Sequence, residues 1–380
     1  MLEIIVITIN VALALILGIT IFNVATGPRL NKAFDVKSFP KVSVLIPARN
    51  EETRISACLE SLAQQDYPNY EIIVLDDQSS DRTQEIILEI RRSWPHIRLV
   101  IGKSLPTGWT GKNWACHQLS NYATGDIFIF TDADTWSSPT AIKKTVSWML
   151  TYKIGFATVF PQQITKTLSE KLVIPLIEMM VYTYLPIWFV YYFRSTALAA
   201  ANGQWIAIKQ DVYRRLGGHA ALKQEIVEDV ALCRLVKTHG GRVLIISGTS
   251  EVFCRMYDSW KSVWEGFSKN AYALTEHNVI LFTFVVLLLL SLHVFPFALI
   301  LMGVTTPMVI AIAINLFIRI ILAIQYRHSA ISVMGHPIGI LVLIAIGINS
   351  FMWFKRGRVQ WKGRIIERTK KIPEMYISGM

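Results

Sequence analysis

The sequence predicts a doubly wound α/β domain carried by membrane helices at both ends. Three observations predict it. Short β-branched and aromatic runs at 42–47 (VSVLIP), 71–75 (EIIVL) and 127–131 (IFIFT) alternate with amphipathic helical patterns, the order that builds a mostly parallel sheet. Each run ends in a polar group: ARNEE at 48–52, DDQSSD at 76–81 and DADTW at 132–136. Uncharged runs at 4–25, 279–303, 306–325 and 335–354 are long enough to cross a bilayer.

Taken in order, residues 4–25 lack a basic leader and an A-x-A cleavage site, so they read as an anchor, with 1–27 as its extent. Arg29, Lys32, Lys37 and Lys41 follow that span, and Glu3 is the one charged side chain before it, so the positive-inside rule places the following domain in the cytoplasm. The net charge of +11 therefore marks membrane flanks and excludes a nucleic-acid surface. Cys58, Cys116, Cys233 and Cys254 show no C-x-x-C spacing, which fits a reducing compartment and no zinc site.

The polar domain spans 40–275. Helices are expected at 52–64, with Ile55, Cys58, Leu59 and Leu62 inward, and at 81–92, capped by Ser79 or Ser80. In a parallel sheet the groups that follow the strands meet at one edge, where ligands of this architecture bind. Asp76 and Asp77 are either turn formers or acceptors for a base or ribose. Asp132 and Asp134 repel each other unless solvated or near a cation; beside the other acidic strand ends, a hard divalent ion (Mg2+ or Mn2+) that also takes phosphate oxygens is the better reading. Lys112, in TGWTGKNWACHQL (107–119), stands before a helix expected from Asn113, where amides and ammonium could hold phosphate or simply face water. Glu228 and Asp229 precede an amphipathic pattern at 226–239; the helix dipole alone favours them there, and a carboxylate so placed could also serve as a general base.

Residues 171–193 (KLVIPLIEMMVYTYLPIWFVYYF) interrupt this domain with an apolar, aromatic stretch. Pro175, Glu178 and Pro186 argue against a spanning helix, so an interfacial segment with a Tyr/Trp belt is expected, a buried core helix being the other reading. The segment 279–354 holds the remaining membrane helices and 355–380 a basic tail. If all three late runs cross, Lys355, Arg356, Arg358, Lys362, Arg364, Arg368, Lys370 and Lys371 fall outside, against the positive-inside rule; a re-entrant or interfacial run keeps them inside.

PARNEE, DDQSSD, TGWTGKNWAC, TDADT, the G-G-H of Gly217 to His219 and the later E-D together resemble the family 2 glycosyltransferases of GT-A fold. GKNWACHQ, CRMYDSW (254–260), WEGFSKN (264–270) and WKGR (361–364) resemble the membrane-bound branch that includes diaponeurosporenoate glucosyltransferase, hopanoid-associated glycosyltransferases and ceramide glucosyltransferase. The resemblance implies a sugar transferred from a nucleotide sugar, of UDP type, to a membrane lipid: a carotenoid, hopanoid, glycerolipid or sphingolipid. It implies that Pro47, Ala48, Arg49, Glu51, Asp76 and Asp77 hold the nucleotide, with Lys112 and Asp132 by the ribose and phosphates. Asp134 would ligate Mg2+ or Mn2+, and Asp229, with Glu228 beside it, would be the base of an inverting single displacement. The Q-x-x-R-W or R-x-x-R-W motif of many relatives is missing. Gly203, Gln204, Trp264, Lys269, Trp361 and Arg364 are the candidates for its acceptor and leaving-group duties. A processive polysaccharide synthase is the alternative enzyme. A transporter or scaffold is set aside because Arg319 is the one clear charge within the late spans.

Overall fold

The computed structural model describes residues 2–300, 303–357, 360–361 and 364–365. Arg358, Lys362, Arg368, Lys370 and Lys371 of the basic tail lie outside the described residues.

The chain opens with α1 (Leu2–Thr26), apolar on all sides, and then enters the polar domain. That domain runs β1 (Val42–Ala48), α2 (Ile55–Ala63), β2 (Tyr70–Asp76), α3 (Thr83–Ser93), β3 (Ile97–Ile101), α4 (Gly111–Tyr122), β4 (Ile127–Thr131), β5 (Thr135–Ser137), α5 (Ala141–Thr151) and β6 (Phe156–Gln163). Two helices, α6 (Leu168–Tyr184) and α7 (Ile187–Tyr192), leave the sheet before β7 (Trp205–Lys209) returns to it. Then come α8 (Gln210–Arg215), α9 (Glu228–Thr238), β8 (Val243–Cys254) and α10 (Trp260–Asn270).

The eight-stranded sheet has the order β3-β2-β1-β4-β7-β6-β8-β5. As the expected mostly parallel sheet requires, β1, β2, β3, β4, β6 and β8 run in one direction; β7, between β4 and β6, and the short edge strand β5 run against them. The reversal follows from the excursion through α6 and α7, after which the chain re-enters at the edge it left. Alternate residues feed two cores. Leu45, Ile73, Leu75, Phe128 and Phe130 face α4 and the membrane helices, whereas Val44, Ile46, Ile72, Val74 and Ile129 face α2 and α5. Covering both faces makes the strands continuously apolar.

Helix starts differ from the sequence expectation by a few residues, each for a local reason. α4 begins at Gly111 because Thr110 accepts the Asn113 N–H. α3 begins at Thr83, whose N–H donates to Asp81 Oδ1 at 3.0 Å, while Ser79 Oγ accepts from the Asn50 N–H instead of capping. Glu228 and Asp229 are the first two residues of α9 and do not merely precede it.

α1 is fastened to the domain at its C-terminal end. Asn23 Nδ2 donates to the carbonyls of Tyr182 and Leu185, and its Oδ1 accepts from the Ile187 N–H. One amide thus serves the backbone where Pro186 separates α6 from α7. Leu30 N–H donates to Ser247 O, and Ser247 N–H to Pro28 O, which ties the anchor to β8. α6 packs between the sheet and the membrane helices, while α7 exposes Phe189, Tyr192 and Phe193.

The C-terminal helices are α11 (Val279–Leu289), a π turn at Leu290–Val294, α12 (Phe295–Leu299), α13 (Thr306–Tyr326), α14 (Ala330–Met334) and α15 (His336–Lys355). Four helical stretches, Glu3–Thr26, Val279–Leu299, Thr306–Tyr326 and His336–Lys355, are long and apolar enough to cross a membrane. Pro296 has no N–H to give Leu292 O, and Asn315 Nδ2 donates to that carbonyl at 2.9 Å. α15 lies along α6 and α10: Asn349 Nδ2 donates to Ser268 Oγ, and Ser350 Oγ accepts from the Tyr272 N–H. Its end meets the start of α11, with Phe354 stacked on His277 at 4.1 Å. Two short strands, β9 (Gln360–Trp361) and β10 (Arg364–Ile365), pair antiparallel, and β9 abuts α10.

Candidate active site

The C-terminal ends of β1, β2, β4, β6 and β8 and the start of β7 share one edge, so loops distant in sequence meet there. The first two loops lace together. Arg49 Nη1 donates to Asp77 O at 2.6 Å and lies 4.0 Å from Asp77 Oδ2; Glu51 N–H donates to Thr83 Oγ1 at 2.7 Å. Asn50 and Gln78 take left-handed φ values of 52° and 57°, a backbone cost that recurs at functional loops and persists here because Ser79, Ser80 and Asn50 bond across the two loops. Asp77 N–H donates to Ala48 O at 2.7 Å, and Asp76 is buried with its carboxylate toward the Ser79 N–H. The predicted nucleotide-holding residues Arg49, Glu51, Asp76 and Asp77, with Ala48, therefore form one surface.

Next to them a recess is lined by Pro47, Lys112, Thr131, Asp132, Gly203, His219 and Glu228. Lys112 Nζ lies 2.7 Å from Asp132 Oδ1 and 2.8 Å from Glu228 Oε1, with about a quarter of its side chain exposed (27%). Burial alone would lower its pKa, but Asp132 and Glu228 outweigh burial and hold the ammonium well above its ordinary value. Lys112, and then Lys269, likewise overcome the burial of Glu228 and keep that carboxyl below its ordinary range.

Asp229, one residue on, also feels Lys112, but not strongly enough to offset its surroundings. Burial, and then the charge of Glu228, push its carboxyl up to about 7, although the N–H groups of Val230 and Gly203 both donate to it, at 2.8 Å each. Lys269, on the last turn of α10, is pushed down to about 8 by burial, against the pull of Glu228. A group near 7 and another near 8 suit proton transfer and charge stabilisation near neutrality. His219 is held neutral by burial, which pushes it down to about 4, and bonds to Tyr213 OH at 2.9 Å. A Cβ on Gly218 would meet the Tyr213 ring at 2.2 Å, the packing reason for the second glycine of G-G-H.

Asp134 Oδ1 accepts from Cys254 Sγ at 3.5 Å and from Thr135 Oγ1 at 3.5 Å. Asp132 is paired with Lys112, and Asp134, two residues on, could take part in holding a divalent ion. No group of three or more His, Cys, Asp or Glu able to hold a metal occurs among the described residues. One or two carboxylates fit an ion that keeps waters and phosphate oxygens, such as Mg2+ or Mn2+.

Gly203 and Gln204 also lie at this edge, the latter accepting at its carbonyl from Thr131 Oγ1 (2.9 Å). Trp264 packs instead in the cluster of Val173, Ile174, Tyr257, Val263, Phe267 and Ile346. Trp361 and Arg364 fall on β9 and β10, beside α10, and their side chains lie outside the described residues. Sequence reasoning did not find Cys254 or Gln163. Cys254 opens the CRMYDSW stretch but had no site role assigned to it, and Gln163 belongs to no motif; the β6–β8 register brings them together.

Residues 43–184 match the family model for glycosyl transferase family 2. The chain is 28% identical over 271 residues to 4,4'-diaponeurosporenoate glycosyltransferase of Staphylococcus aureus (strain bovine RF122 / ET3-1), covering 70% of this chain and 69% of that protein. The protein of the same name from Staphylococcus haemolyticus (strain JCSC1435) is 38% identical over 125 residues, 33% of this chain and 32% of its own length. Among solved structures, the mannosyltransferase of Pyrobaculum calidifontis in complex with GDP-Man and Mn2+ superposes with a TM-score of 0.56 at 17% identity, over 93% of this chain and all (100%) of that one, a likeness of fold. Residues 43–184 therefore carry a family 2 glycosyl transferase domain, on a GT-A fold, and the chain is similar to glycosyltransferases over most of its length.

Proposed function

We propose that this enzyme transfers a sugar from a nucleoside diphosphate donor, of UDP type, to a lipid acceptor in the membrane, by inverting single displacement. The observation that carries the reading is Asp229: a carboxyl poised near 7, fixed by two N–H donors, beside the cluster of Lys112, Asp132 and Glu228.

Asp229 takes the proton of the acceptor hydroxyl while that oxygen bonds to the anomeric carbon. The bond from that carbon to the diphosphate oxygen breaks, and its electrons leave with the nucleotide. An acceptor carboxylate needs no such proton removal, and Asp229 then orients it while protonated. Arg49, Glu51, Asp76 and Asp77 hold the nucleoside; Lys112 and Lys269 carry the positive charge that favours a diphosphate leaving group. Mg2+ or Mn2+ on Asp134 supplies further neutralisation of the diphosphate when bound. The Pyrobaculum enzyme, with GDP-Man and Mn2+, supports a nucleoside diphosphate sugar and a divalent metal, and the staphylococcal relatives support a carotenoid-type lipid.

The membrane helices support a multi-pass protein of the cell membrane with its catalytic domain in the cytoplasm. In this reading α11–α12 and α13 cross, and α15, which packs on His293 of the π turn at its start and ends where α11 starts, leaves on the side of the domain. This puts Lys355 and Arg356 on the cytoplasmic side, in agreement with the positive-inside rule. α7, with Trp188 Nε1 donating to Thr26 O at the end of α1, sets Phe189, Tyr192 and Phe193 at the interface where a lipid head group lies.

The reading is tested with membranes containing the full chain, radiolabelled UDP-glucose, UDP-N-acetylglucosamine or UDP-galactose, and Mn2+. Label entering the chloroform-extractable fraction, lost with EDTA, is the expected result. Label entering only a water-soluble or insoluble polymer contradicts it and favours the polysaccharide synthase.

A further inference from the structure

β6 ends and β7 begins at the edge where the carboxylates gather, and each places a glutamine there. Gln163, the last residue of β6, stands in register with Cys254, whose thiol donates to Asp134. Gln204 directly precedes β7. The neighbouring Gly203 N–H donates to Asp229, and the Gln204 carbonyl accepts from Thr131, the residue before Asp132. Gln163 Nε2 donates to Gln204 Oε1 at 2.8 Å. The linked amides thus bridge the interval between the metal-side carboxylate and the proposed base.

Gln163 is only 9% exposed and Gln204 4%. Gln163 Oε1 is buried with no hydrogen-bond partner among the described residues. Other buried glutamines of this domain are better served: Gln65 has its Nε2 on Ser61 O and Ser138 O and its Oε1 on the Ile142 N–H, and Gln118 has Oε1 on the Lys103 N–H and Nε2 on Trp114 O. An unmet amide atom in a buried site is unfavourable unless a ligand meets it. Turning the Gln163 amide over does not remove the deficit. One of its polar atoms is spent on Gln204, and the other, acceptor or donor, remains for a partner that is both, as a hydroxyl is.

We propose that the Gln163–Gln204 pair reads hydroxyl groups of the transferred sugar and so sets donor specificity. This rests on the nucleotide-sugar reading of the site. The anomeric carbon must be joined to a diphosphate held near Lys112 and Asp134 and be approached from Asp229, which lays the sugar ring across the interval that the pair spans. Gln163 is a specificity-determining residue here, with no part in proton transfer.

The test compares purified, detergent-solubilised full-length protein with its Gln163→Met and Gln204→Met variants, by calorimetry with Mn2+ and each of UDP, UDP-glucose, UDP-galactose and UDP-N-acetylglucosamine. UDP should bind all three proteins within about twofold. The affinity that the preferred sugar adds to UDP should fall by about tenfold in either variant, the scale of one lost hydrogen bond, and the ranking of the sugars should flatten. Variants that lose UDP and UDP-sugar affinity in proportion, or that keep the wild-type ranking, overturn the proposal. A wild-type protein that binds UDP and no UDP-sugar more tightly also overturns it, whereas one that binds no nucleotide removes the donor reading itself.

Discussion

The backbone N–H of Gly203 donates to Asp229 Oδ2 at 2.8 Å, and the absence of a side chain on Gly203 keeps Lys112 Nζ and Glu228 close by. A Cβ at this position would stand 3.1 Å from Lys112 Nζ and 3.5 Å from both Asp229 Oδ2 and Glu228 Oε1. Gly203→Ala should therefore reduce kcat by roughly 10- to 100-fold, the cost of displacing a catalytic group slightly, with little loss of melting temperature. Steady-state kinetics beside a thermal melt check it. An unchanged kcat would show that this contact does not set the geometry.

The activity should be bell-shaped in pH. Asp229 accepts a proton only when ionised, so kcat/KM rises as pH increases through about 7, the value to which burial and Glu228 push it. Lys269, pushed down to about 8 by burial, then loses its charge, and the rate falls on the alkaline side. The groups interact, so the limbs belong to the cluster, and Glu228→Gln should move the acid limb to lower pH.

The same carboxyl gives a stability signature. Folded Asp229 keeps its proton up to about 7, whereas unfolded aspartate loses it near ~4, so the folded state binds more protons between those values and is destabilised as pH rises through that window. Asp229→Asn has no charge to bury. Its melting temperature relative to wild type should be higher at pH 8 than at pH 5, and a pH-independent difference would contradict the raised pKa.

Lys112 is the cation between two carboxylates. Lys112→Met leaves Asp132 and Glu228 facing each other uncompensated, and destabilisation of about 1–3 kcal/mol is expected, the scale for a partner left unsatisfied, reduced by its partial exposure. Glu228→Gln added to Lys112→Met should recover part of the loss. Strict additivity in a thermal-melt cycle would show that the two side chains are not coupled.

Much of this site was legible because its charges sit directly after strands. ARNEE, DDQSSD, DADT and the E-D pair each carry carboxylates at positions that an apolar strand or a helix start fixes locally, and all of them meet at one sheet edge. The reversed strand β7 was not legible. β6 (FATVFPQQ) contains a proline, β7 (WIAIK) is short, and the reversal between them depends on α6 and α7 leaving for the membrane side, a tertiary fact. That Gln163 lies beside Cys254 was invisible for the same reason. They are 91 positions apart as numbered and become neighbours only through the β6–β8 pairing, which itself shifts register after Pro161. The membrane runs were read at close to their observed ends. What composition could not tell was that α15 lies along α6 and α10, which depends on hydrogen bonds such as Asn349 to Ser268.

The membrane bundle offers a separate check. Asn315→Leu removes the donor that serves Leu292 O above Pro296, and a loss of about 0.6–1.7 kcal/mol is expected in detergent, with donor binding unchanged. Pro296→Ala restores the backbone N–H, so the loss from Asn315→Leu should shrink in that background.

The central claim, that Asp229 is the base of a glycosyl transfer whose donor is held elsewhere in the cleft, is tested most directly by Asp229→Asn in purified full-length protein. Transfer to an added hydroxyl-bearing lipid should fall by at least about 100-fold, the usual scale of general-base catalysis, while Mn2+-dependent UDP binding by calorimetry stays within a few-fold of wild type. Retained transfer, or loss of UDP binding together with transfer, would contradict it.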